Sequence, residues 1–192
     1  MKRFGITGGI GSGKSFIATI IERMGYPVYY SDVRSKELTN AHPLIRQGLI
    51  DLVGENVYFG SELDKKILAT AIFSNDELRL KVNQLIHPIV RQDFEDWANS
   101  QKSDLIFNEA AILFETGAYR NFDATILIYA PEELRLKRVL NRDIITKEEV
   151  LTRMNNQMND NEKRKMTSLQ ILNDGESPLL KQIEGVIESL KF

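Results

Sequence analysis

The segment Gly8-Gly9-Ile10-Gly11-Ser12-Gly13-Lys14-Ser15 carries the plainest chemistry in the chain. It fits the spacing G-x-x-x-x-G-K-[ST], in which glycines let backbone N–H groups turn inward around phosphate oxygens and a following helix adds its partial positive N-terminus. At average residue frequencies a chain of 192 residues holds about 0.007 chance matches, so the segment is read as a phosphate cradle. Lys14 would reach the β and γ phosphates of a nucleotide, and the Ser15 hydroxyl would bind Mg2+.

Two carboxylates stand where such a cradle needs acids. Asp32 follows the apolar run Val28-Tyr29-Tyr30, and Glu109 follows Leu105-Ile106-Phe107. Each would lie at the carboxyl end of a strand, the edge where open parallel sheets bind ligands. Either could orient an acceptor hydroxyl or hold water around Mg2+. Plainer readings are Asp32 as the N-cap of a helix starting near Val33, and Glu109 as a strand-end surface residue.

Arg135, Arg138 and Arg142 stand at i, i+3 and i+7 and so share one helical face, with Arg153 beyond them. They form either a solvated row paired with Glu132, Glu133 and Asp143, or a set of guanidiniums suited to the charge on a transferring phosphoryl group. The phosphate loop upstream favours the second. Asn173-Asp174-Gly175 reads as a turn first and a base contact second. His87-Pro88 is expected at a helix end, because a proline disfavours helix at the residue before it; His42-Pro43 has the same form and is assigned no chemistry.

These groups need elements to position them. Phe4 and Ile6 mark a strand running into the glycines, and Phe16, Ile17, Ile20, Ile21 and Met24 fall on one helical face closed by Gly25. Val28 to Tyr30 is a second strand. From 33 to 101 only helical spacing is found, as in Ile67, Leu68, Ala71 and Ile72, which predicts a helical insertion. Strands return at Leu105 to Phe107, Ala124 to Tyr129 and Ser168 to Leu172, Pro131 opens a helix, and Leu179, Leu180, Ile183, Val186, Ile187 and Leu190 form the last apolar stripe. Strands separated by helices predict an α/β fold with a parallel sheet covered on both faces.

Composition removes other chemistries. The chain has 25 basic and 27 acidic residues, a net charge of −2, no cysteine and two histidines. That argues against a general grip on nucleic acid or membrane, and against thiolate metal sites, cysteine nucleophiles and His-rich metal centres. The glycines interrupt the first apolar segment before a signal-peptide core forms, and the longest apolar runs are far below a membrane span. A soluble, cytoplasmic protein is expected, of one domain with a substantial insertion.

The segments Gly5 to Ser15, Tyr29 to Leu38, Leu63 to Val90, Ala110 to Glu115, Leu136 to Asp143, Arg153 with Gln157, and Ile171 to Gly175 together resemble the dephospho-CoA kinase family. The phosphate loop alone indicates only a nucleotide; the Leu63 to Val90 block, with its His-Pro ending, is more specific. The resemblance implies a P-loop kinase fold with a five-stranded parallel sheet flanked by helices, a helical coenzyme A-binding insertion over 33–101, and a helical lid over 131–166. It implies ATP, Mg2+, and transfer of the γ-phosphoryl to the ribose 3′-hydroxyl of dephospho-CoA. Charge and apolar runs lead to the expectation of no nucleic acid or membrane partner; a monomer is also expected, although the sequence itself leaves the oligomeric state open. Asp32, Lys14 and Arg142 would be catalytic. Gly8, Gly9, Gly11, Ser12, Gly13, Lys14, Ser15, Phe16, Asn173 and Gly175 would hold ATP; Asp32, Lys65, His87 and Glu109 would meet the acceptor; Ser15 would bind the metal.

The chain also departs from that family pattern. Glu109 and Ala111 stand for a usual aspartate and proline, and Tyr30-Ser31-Asp32 keeps only the second acid of Asp-Ala-Asp. Lys65 replaces a common arginine, a poorer bidentate phosphate partner. Competing readings are a nucleoside or nucleotide kinase, a non-catalytic nucleotide-binding module, and a GTP switch. For the switch, Asp51-Leu52-Val53-Gly54 fits Asp-x-x-Gly, but no guanine-reading Asn-Lys-x-Asp is found.

Overall fold

A computed structural model describes residues 1–73 and 75–191. Ser74, inside the Leu63 to Val90 block, lies outside the described residues. In chain order the elements are β1 (Lys2–Thr7), α1 (Lys14–Arg23), β2 (Val28–Tyr30), α2 (Ser31–Ala41), α3 (Pro43–Val53), β3 (Tyr58–Phe59), β4 (Glu62–Leu63), α4 (Lys65–Phe73) and α5 (Asp76–Ser100). There follow β5 (Leu105–Glu109), β6 (Ala124–Tyr129), α6 (Glu132–Arg142), α7 (Lys147–Asn155), α8 (Asp160–Lys165), β7 (Gln170–Leu172) and α9 (Leu179–Leu190). The chain divides into two compact units, residues 1–30 with 101–192, and residues 31–100.

The first unit is built on a five-stranded sheet of order β2-β5-β1-β6-β7, parallel throughout. All five residues of β5 are buried, as expected of a parallel strand covered on both faces. The core joins Phe4, Ile6, Phe107, Ile126, Ile128 and Ile171 of the sheet to Ile17, Ala18 and Ile21 of α1 and Ile183, Ile187 and Leu190 of α9. Ile6 is fully buried at its centre, and trimming it to alanine should cost about 2–5 kcal/mol. The predicted face of α1 needs two corrections: Met24, 40% exposed, lies just past the helix, and Phe16 is 61% exposed and Ala18 takes its place. Phe16 sits about 100° around the helix from Ile17, on the side away from Ala18. Likewise β7 begins at Gln170, because the Thr167 hydroxyl takes the Leu169 N–H and itself donates to the Thr125 carbonyl.

The second unit packs Ile45 and Leu49 of α3 with Val57, Val82 and the partly buried Leu38, Leu68, Leu85, Ile86 and Ile89. Pro43 opens α3 with extended His42 before it, as a proline at the first helical position favours. Two expectations fail here. Helix α5 runs 25 residues straight through Pro88, rather than ending at His87. Proline there forfeits a backbone bond and costs about 3 kcal/mol, but Val82, Leu85, Ile86 and Ile89 on both sides of it share one core. The stretch is also not purely helical, since β3 and β4 form an antiparallel hairpin. Gly60 turns it with φ of 61°, at the first central position where glycine is favoured. The Arg46 guanidinium fastens it, donating to the Ser61 and Gly60 carbonyls at 2.9 Å each. Arg34 grips Asp93 through two bonds of 3.0 and 2.6 Å, tying α2 to α5. Among the described residues no helix is long and apolar enough to cross a membrane.

Candidate active site

The loop from Gly8 to Gly13 joins β1 to α1 at the carboxyl edge of the sheet. Gly11 and Gly13 take φ of 80° and 90°, a left-handed backbone that turns successive N–H groups to one side. Ser12 N donates back to the Gly9 carbonyl at 3.0 Å, closing the turn. Glycine positions in the loop are also close approaches. A side chain at Gly8 would strike the Ile128 carbonyl, at Gly13 the Asn173 amide, and at Gly9 the Arg135 guanidinium.

Parallel register pairs Glu109 of β5 with Ile6 of β1 and so brings this carboxylate up beside the loop. Its Oε1 lies 3.1 Å from Lys14 Nζ and accepts the Ser15 hydroxyl at 3.0 Å. The Glu109 side chain is only 3% exposed, so the strand-end surface reading is excluded. A buried carboxylate is stable only when paired, and Lys14 supplies the pairing. A hydroxyl and a carboxylate oxygen side by side are hard-oxygen donors of the kind that would suit Mg2+. Nearby, burial pushes the Tyr30 phenol above its ordinary pKa, and its hydroxyl donates to Glu22.

On the opposite shoulder Asn173 does more than turn the chain. Its Nδ2 donates to the Ser12 carbonyl at 2.8 Å, while Arg138 Nη1 donates to the Asn173 carbonyl at 3.0 Å. Asp174 then accepts from Ser177 N, Glu176 N and the Ser177 hydroxyl, which hold its carboxyl below the usual range, and Gly175 follows with φ of 89°.

A buried charge cluster beside the loop is absent from the sequence expectations. Lys163 of α8, with no exposed surface, lies 2.7 Å from Glu115 Oε1, which also accepts Met158 N. Asp160, at the head of α8, faces Arg135 across 3.6 Å, and burial raises its carboxyl pKa against the pull of Arg135. Gln157 Oε1 accepts the Ile10 amide of the loop at 2.8 Å. Only the arginine row hinted at this cluster, since Glu115 is far in sequence from Asp160 and Lys163.

Arg142 does not turn to the loop: it forks onto its neighbour Asp143 at 2.8 and 2.9 Å, with 64% of its side chain exposed. Its position at the last turn of α6, seven residues beyond Arg135, carries it away from Gly9. Asp32 is not an N-cap, because α2 already starts at Ser31 and Asp32 sits within its first turn. Lys65 opens α4 and is exposed, and His87 lies within α5. These three belong to the 31–100 unit. His87 shows much of its ring to solvent; desolvation of the remainder, then the Arg91 charge, lowers its imidazole pKa.

The model of the dephospho-CoA kinase family matches residues 3–178. The chain belongs to this family. A dephospho-CoA kinase of Bacteroides fragilis is 44% identical over 189 residues, covering 98% of this chain and 92% of the relative. A crystal structure from Thermus thermophilus superposes with a TM-score of 0.87 at 33% identity, over 98% of this chain and 95% of the other. The dephospho-CoA kinase from Campylobacter jejuni gives 0.69 at 25% identity, with the same coverage. The expected α/β kinase fold is thus the fold found, and membership in this family makes the chain an ATP-dependent kinase.

Proposed function

We propose that the chain transfers the γ-phosphoryl group of ATP to the 3′-hydroxyl of the ribose of dephospho-CoA, giving coenzyme A and ADP. The observation that carries this is the convergence of Lys14, Ser15 and Glu109 on the phosphate loop of a dephospho-CoA kinase family member. The loop amides and Lys14 hold the phosphates, and Asn173 and Gly175 border the base. Ser15 and Glu109 offer the oxygens for Mg2+, which when bound neutralises charge on the β and γ phosphates. Asp32 accepts a hydrogen bond from the 3′-hydroxyl, orients it in line, and takes its proton late. The hydroxyl oxygen bonds to the γ phosphorus as the bond from that phosphorus to the bridging oxygen breaks, and the electron pair leaves on ADP. Lys65 and His87 serve the acceptor, the 31–100 unit binds its coenzyme A portion, and 131–166 acts as the lid. Water excluded by that lid cannot compete as acceptor.

The same reading makes the protein a cytoplasmic monomer acting on a small molecule, without nucleic acid or membrane partners; the net charge of −2 supports the absence of a general grip on polyanions. The test is ADP release from Mg·ATP with dephospho-CoA, adenosine, AMP or no acceptor, with product mass to locate the phosphate. Stimulation by dephospho-CoA alone is expected. Stimulation by AMP or adenosine instead overturns the substrate, and no stimulation by any acceptor overturns the reaction.

A further inference from the structure

We propose that Arg135 is the residue by which this site distinguishes a nucleoside triphosphate from a diphosphate. The inference rests on the proposed ATP site and deepens it. Arg135 is 8% exposed, and its guanidinium lies against Gly9 so closely that a side chain there would collide with Nη1. Its Nε has no hydrogen-bond partner among the described residues, and Asp160 stands 3.6 Å away, beyond hydrogen-bond length. A buried cation with a distant counter-ion is unfavourable until an anion reaches it. Burial also raises the Asp160 carboxyl pKa, consistent with a weakly committed pair.

Direction follows from the two shoulders of the loop. Gly13 meets Asn173, on the proposed base side, and Gly9 meets Arg135. A triphosphate that starts at Asn173 and passes Lys14 ends at Gly9. The Ile10 amide on that shoulder is already taken by Gln157, so the guanidinium joins Lys14 as a donor for terminal phosphate oxygens, a role its planar fork suits.

The test is calorimetric binding of ATP and of ADP, without acceptor, to the wild type and to Arg135→Gln and Arg135→Lys. Arg135→Gln should weaken ATP about 10-fold or more while ADP weakens less than about 3-fold, a difference typical of charge-assisted bonds, with Arg135→Lys between. Equal weakening of both nucleotides, or of neither, overturns the proposal. Should Arg135→Gln not fold, Asp160→Asn frees the guanidinium and should raise the preference for ATP over ADP about threefold; an unchanged or lower preference overturns it. A wild type that binds neither nucleotide fails the ATP-site reading itself, an outcome distinct from equal weakening in the variants.

Discussion

Glu109 and Lys14 hold each other beside the phosphate loop, Oε1 to Nζ at 3.1 Å, and Ser15 donates to the same oxygen. A carboxylate buried in β5 thus balances the lysine proposed to hold phosphate, and also orients the hydroxyl proposed to hold the metal. Nucleotide binding must redistribute these bonds, so Glu109 acts on both partners at once.

Glu109→Gln keeps the shape and removes the charge. The variant should need more Mg2+ for half-maximal ADP release and lose about 10–100-fold in turnover, the usual scale for residues that orient a metal's ligands. A magnesium titration that superposes on the wild type would remove Glu109 from this role.

Asp32→Asn separates binding from chemistry. ATP affinity measured by calorimetry should match the wild type, while turnover with dephospho-CoA should fall at least about 100-fold. Near-normal turnover would show that Asp32 neither orients the hydroxyl nor takes its proton.

Lys163→Met tests the cluster under the loop. Lys163 has no exposed surface and Glu115 is 18% exposed, so losing the cation strands a largely buried carboxylate at a cost of about 3 kcal/mol or more, or roughly 6–12 °C in Tm. The double variant Lys163→Met with Glu115→Leu should recover much of that loss in thermal melts. A single variant as stable as the wild type would mean that the pair contributes nothing to the fold.

His87 should titrate below 6.5, its ordinary value, because partial burial and Arg91 both oppose its protonation. A lowered folded-state pKa means the unfolded chain binds the proton more readily. The stabilising contribution is therefore full above about 6.5 and is lost as pH falls through the folded value. Proton NMR can follow the ring directly, with only His42 as a second signal. Arg91→Gln should move the midpoint up; a midpoint above 6.5 in the wild type contradicts the assignment.

Elements whose code is local were legible in the sequence. The apolar runs at Leu105 and Ala124, the glycines around Lys14 and the stripe from Leu179 to Leu190, apart from Leu180, which is 60% exposed, each declare themselves within a dozen residues. The hairpin at Tyr58 to Leu63 was missed because its strands have two residues each, too short for periodicity to register, although Gly60-Ser61 between them was a turn signal. At Pro88 tertiary packing overrode a local preference. The site divides the same way. The loop and its carboxylate Glu109 could be singled out by position, but Arg135, Asp160, Lys163 and Glu115 meet through tertiary folding, and each alone resembles an ordinary charged surface residue.

The double grip of Arg34 on Asp93 has a consequence for the order of assembly. Strands β2 and β5 are neighbours in the sheet, with Val28 opposite Phe107, yet the whole 31–100 unit intervenes. Closing a disordered loop of that length costs roughly 4 kcal/mol in chain entropy, from (3/2)RT ln n. Once α2 and α5 are clasped near the two ends of the segment, most of that cost has been met within it. The edge strand can then join the sheet as though its connection were short, which favours a route in which residues 31–100 condense before β2 pairs with β5.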